Sequence, residues 1–145
     1  MSAFDLDKFM EQPAEAGSTT FEPIPAGEYT AIIDDAQLRA AGDGVVLDVT
    51  FLLQDDAVKA KLGREKLSVK TGFFLDTTPS GGFDMSKGKN IKLNRLRDAL
   101  GQNKPGWKVP QLKGAGPLKV TVSLRPDKNS PDVVYNDIKS FGKMK

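Results

Sequence analysis

The residues best suited to chemistry in this chain are cations and rings at even spacings. In the run REKLSVKTGFFLD, Lys66, Lys70 and Phe74 recur every four residues. In a strand, even spacings fall on one face, so two ammonium groups and a ring would share one surface. Such a surface suits a single-stranded polyanion with unpaired bases. Cations neutralise its phosphates, and aromatic faces stack on its bases for about 1–3 kcal/mol per base. Arg64 opens the same run, and in PLKVTVSLR the polar face carries Lys119 and Arg125. Lys128 and Asn129 follow in the turn PDKNSPD, where they could reach a strand's backbone, and Arg39 stands at an earlier turn. Phe83, Trp107 and Tyr135 are further stacking candidates.

Each of these residues has a plainer reading. Lys66 and Lys70 can be the charges that keep a strand edge from aggregating. Phe73 follows the apolar alternation and belongs to a core, whereas Phe74 has polar neighbours on its face. Trp107 can be a lid over one end of the fold, and Lys92 and Arg95 the solvated side of a helix.

Other chemistries are poorly supplied. The 145 residues include no cysteine and no histidine, which excludes disulfides, thiolate zinc sites, cysteine nucleophiles and every imidazole acid, base or ligand. No metal or cofactor is expected, and the expected protein is not an enzyme. A magnesium-dependent nuclease built on Asp34, Asp35 and Asp48 is the remaining enzymatic alternative. The runs SGG and KGAG lack the Gly-Lys-Ser/Thr ending and the strand-to-helix setting of a phosphate-cradling loop.

The elements that must position these side chains follow from periodicity. Residues 1–27 read as an acidic arm and linker, with Phe4, Leu6, Phe9 and Met10 able to form one helical turn that docks on the domain or on a partner. Residues 28–145 read as one domain. Strands are predicted over Glu28–Gln37, closed by the turn AAGDG, over VVLDVTFLLQ with Val45, Leu47, Val49, Phe51 and Leu53 on one side, and over REKLSVKTGFFLD. Between the second and third, DDAVKAKLG is a polar connection with room for a short helical turn. KNIKLNRLRDAL is a helix with Leu93, Leu96 and Leu100 on one stripe and Gly101 as its cap; Ile91 misses the stripe. PLKVTVSLR, with Leu118, Val120, Val122 and Leu124 on one face, and VVYNDIKSF are the last strands. The fold class is therefore mainly β: a five-stranded, OB-fold-like antiparallel barrel with one helix between strands 3 and 4.

Charge is unevenly spread along this order. Residues 1–56 hold twelve acids against Lys8 and Arg39, and residues 57–145 hold nineteen Lys and Arg against seven acids. The split suggests a polyanion-binding part with an acidic segment able to screen it; folding that interleaves the two signs is the alternative. The start MSAFDLDKFM has neither the basic opening nor the apolar run of a signal peptide, and no segment is apolar enough to span a bilayer. A cytoplasmic protein with no membrane partner is expected.

Several stretches together carry a likeness. FDLDKFMEQ, FEPIPAGEYTAIID, NRLRDALG and YNDIKSF resemble a family of phage proteins first catalogued as of unknown function and now linked to single-stranded DNA binding. The resemblance implies an OB-fold, sequence-tolerant binding of single-stranded DNA, and a setting in phage replication or recombination, with phage or host replication and recombination proteins as partners. It transfers no contact residues. Better-known bacterial single-strand binders end in an acidic recruiting tail, whereas this chain ends in Lys143, Met144 and Lys145. The competing expectation is a phage adaptor or inhibitor that binds a host protein through the acidic arm, as a nucleic-acid mimic.

Overall fold

Inward apolar positions that meet across strands determine how the sheet assembles. The computed structural model describes residues 5–17, 22–129 and 134–144; Phe4, turn positions 130–133 and Lys145 lie outside them. Strands β1 (Gly27–Ala41), β2 (Gly44–Leu53) and β3 (Leu67–Leu75) form a meander. In it Leu47 faces Phe73, Val49 faces Thr71 and Phe51 faces Val69, so the inward sets coincide. The N-terminal end of β1 also pairs with β4 (Leu118–Pro126), which pairs with β5 (Val134–Gly142). The result is one five-stranded antiparallel sheet in the order β3-β2-β1-β4-β5.

The sheet is curled but not closed. No strand ladder joins β3 to β5 among the described residues. Side chains meet there instead. Thr71 Oγ1 donates to Asp137 Oδ1 at 2.8 Å, and the Phe141 ring stacks on Phe51 and Phe73 with centroids 5.7 and 5.8 Å away. Register shifts at Ile33/Asp35 and Thr121/Val122 add the local twist that bending requires.

Helix α1 spans Leu6–Met10, α2 spans Asp56–Leu62 and α3 spans Ile91–Ala99. The predicted helix at 89–100 begins later because Asn90 turns left-handed, at φ 52°, and spends its amide on the Asp76 and Asp84 carbonyls at 2.8 and 2.9 Å. Leu93 and Leu96 are buried in the core, Leu100 packs at its margin, and Ile91 is exposed. No described helix is long and apolar enough to cross a membrane.

Several expectations need adjusting. β1 runs on to Ala41, because Ala41 pairs with Gly44 across a turn of only two residues. Leu124 is exposed, since the β4–β5 hairpin projects beyond the core and its last apolar position finds no cover. Val46 is buried although it lies on the outward face, between its register partners Arg39 and Phe74. Ile24, 1% exposed, is a core residue, and its backbone is held from both sides by the Asn136 amide at 2.8 Å. In the arm, α1 is capped by Asp5, whose Oδ1 accepts from the Lys8 amide at 3.1 Å, while Leu6, Phe9 and Met10 are exposed rather than docked on the sheet.

Candidate nucleic-acid interface

The outward face of β3 is built by alternation: Ser68, Lys70 and Phe74 are exposed while Leu67, Val69, Thr71 and Phe73 are buried. Phe74 is 81% exposed. A ring this bare on a strand offers its faces to solvent, where an unpaired base would find them. Gly72 separates it from Lys70 and leaves the sheet surface open, with Asp48 and Val46 as the floor 3.4 Å from where a Cβ would stand.

Three adjoining hollows are each about 440 to 460 Å³: the first lies at the end of β4 beside Tyr135 of β5, and the other two lie between β3 and β5. Tyr135 belongs to the first and second, Lys70 to the second and third, and Arg125 to the first and third, so they form one groove. Its cations are Arg64, Lys66, Lys70, Lys92, Arg125 and Lys128, and its carboxylates are Glu22, Asp127 and Asp137. Six against three leaves the groove positive. Phe74 lines the third hollow and Tyr135 the first and second.

Two of the three acids in the groove, Asp137 and Asp127, are already engaged. Asp137 accepts from Thr71 and from the Ile138 amide at 2.9 Å, and Arg125 Nη1 lies 3.7 Å from its Oδ2. The Tyr135 hydroxyl donates to Asp127 Oδ2 at 2.9 Å, and this bond, with the charge of Asp127, pushes the phenol pKa above its ordinary value. Arg64 bonds the Glu22 carbonyl, which ties the chain entering the domain to the groove wall.

Of the residues singled out from sequence, Arg64, Lys66, Lys70, Phe74, Arg125, Lys128 and Tyr135 thus line one groove. Arg39 is on the same face, two strands from Phe74 across Val46, but its Nε is held by Asp48 Oδ2 at 2.6 Å. Lys119 pairs with Glu28 at 3.2 Å, six residues and about 20 Å along β4 from Arg125. Trp107 packs edge-on against Phe83, donates its Nε1 to Gln102 at 2.9 Å, and lies under the Arg97 guanidinium at 4.7 Å. Those contacts place both rings in a cluster with Arg97 of α3, and neither ring lines the groove.

Lys92 is the groove residue that sequence reasoning assigned to a solvated helix face. Its Nζ donates to Thr71 Oγ1 and to the Gly72 carbonyl, both at 3.2 Å, and stands 4.8 Å from the Phe73 ring centroid. Its position one residue before the Leu93 stripe marks it as flanking the buried side, which is the only signal the sequence carries.

The acids considered for a nuclease do not converge. Asp35 is engaged by Gln37 and Lys113 and Asp48 by Arg39, and among the described residues no three acids are grouped so as to hold a metal ion. Compared with protein-family models and with curated proteins, the chain matches none of them.

Proposed function

We propose that this protein is a non-enzymatic single-stranded DNA binder, built on an OB-type barrel, that coats phage DNA during replication or recombination in the host bacterial cytoplasm. The strand order β3-β2-β1-β4-β5, with α3 between β3 and β4, supports the barrel, its seam being the side-chain contacts between β3 and β5. The observation that carries the binding reading is the 81% exposed Phe74 lining a groove with twice as many cations as acids. Phosphates are drawn in by the cations and bases stack on Phe74 and Tyr135; no bond is broken. The resemblance to phage single-strand binders agrees with this chemistry.

Phe74→Ala tests it. Losing one stacking ring should weaken oligo-dT binding about 5- to 150-fold, the equivalent of about 1–3 kcal/mol. Fluorescence anisotropy would read the affinity, and an unchanged Kd would remove Phe74 from the interface.

A second reading rests on the exposed apolar residues Leu6, Phe9 and Met10 of α1, set among Asp5, Asp7 and Glu11, which suit a protein partner. Deleting residues 1–17 should strengthen DNA binding if the arm screens the groove. Unchanged DNA affinity together with lost biological activity would instead favour the arm as the working epitope.

A further inference from the structure

We infer that the bound strand does not stop at Phe74 but continues past Lys92 of α3 into a second basic cleft beside the start of that helix. This rests on the binding reading above and extends it to a surface no OB-type argument from the strands would include. The cleft, about 520 Å³, lies beside the start of α3. Lys87, Lys89 and Arg95 supply its charge, Asp98 is the one acid lining it, and the exposed Ile91 and Met85 give it apolar surface. None of the three cations has an ion-pair partner among the described residues. Arg39, Lys113 and Lys119, by contrast, each stand within 4 Å of a carboxylate. Three cations against the single acid Asp98 on one concave surface raise the local potential for an anion.

Helix geometry connects this cleft to the groove. Lys92 lines the groove and Arg95 lines the cleft, and residues three apart on a helix are surface neighbours with Cβ atoms about 5–6 Å apart. A polyanion leaving Phe74 past Lys92 therefore meets Arg95 next. The loop before α3 is held in place to receive it. Ser86 donates its amide and its hydroxyl to Asp84 Oδ1 at 3.0 and 2.6 Å, and the Lys89 carbonyl accepts from the Asn94 amide at 3.3 Å. The occupant that fits is the continuing backbone of the same strand: phosphates for the cations, and bases or sugars against Ile91 and Met85.

The test compares oligo-dT of about 4 and about 16 nucleotides, the ends of the range of OB-type site sizes, on the full chain and on a K87Q/K89Q/R95Q variant. All three side chains are exposed, so the variant should fold as the parent does. The long oligonucleotide should bind the variant more weakly, with its log–log salt slope shallower by about 2, three phosphates at about 0.7 each. The short one should bind both proteins alike. Equal affinity and slope for the long oligonucleotide would overturn the second cleft and leave the groove standing. Failure of the parent to bind either length would overturn both.

Discussion

Raising the salt from 50 to 200 mM should weaken binding of an oligo-dT of about 8 nucleotides, long enough to set a phosphate at each groove cation, to the parent protein by about 300-fold. The figure follows from six groove cations, Arg64, Lys66, Lys70, Lys92, Arg125 and Lys128, each displacing one condensed counterion. Single strands lose about 0.7 in log–log slope per phosphate neutralised, so six contacts give a slope near −4. Stacking on Phe74 and Tyr135 is largely indifferent to salt, which makes the slope a measure of the cations alone. A K66Q/K70Q variant should bring it to about −3. Anisotropy titrations at graded salt would read both numbers, and a slope near zero for the parent would mean that the groove is not where DNA is held.

How far sequence reading reaches is clearest on β3. Its period-two alternation fixes which residues face outward, because one side of the strand is buried, and Phe74 stands out as the apolar residue on the wrong side. Alternation says nothing about distance along a strand. Lys119 shares a polar face with Arg125 in sequence terms but lies at the other end of β4, beside Glu28. Nor does it reveal cross-strand neighbours. Arg39 is neutralised by Asp48 only because the β1–β2 register brings Gln37, not Arg39, opposite Asp48, leaving the arginine on the diagonal. Lys92 depends on how α3 docks across β3, and Trp107 on the Phe83 and Arg97 contacts. Those are tertiary facts, and helix periodicity carries no information about which strand a flanking residue will meet.

The uneven charge of the chain also resolves in space without becoming neutral. Acids from the N-terminal part reach the basic part locally: Glu28 meets Lys119, Asp35 meets Lys113, and Glu22 lines the groove. The groove and the cleft at α3 nevertheless keep an excess of positive charge. Partial interleaving of this kind gives a protein of low net charge that still presents a polyanion with a positive path.

Phe51→Ala should destabilise the fold by about 3–5 kcal/mol, a large share of the roughly 5–15 kcal/mol by which a domain is stable. Phe51 is 0% exposed and sits toward the C-terminal end of β2, between its register partners Ile33 and Val69. Its ring stacks on Phe141, which also stacks on Phe73. Removing it therefore leaves a cavity beneath the Phe141 bridge from β5 to β2 and β3, where among the described residues no backbone ladder can compensate. The Thr71–Asp137 bond crosses the same gap, and both residues line the groove, so the seam and the binding surface should weaken together. Urea midpoints would give the stability loss, and hydrogen exchange should show β5 amides opening first. Phe74→Ala supplies the contrast: its ring is already in solvent, so the midpoint should hold while DNA affinity falls. If both variants lost stability alike, Phe74 would be a packing residue, and the groove would lose the ring on which base stacking depends.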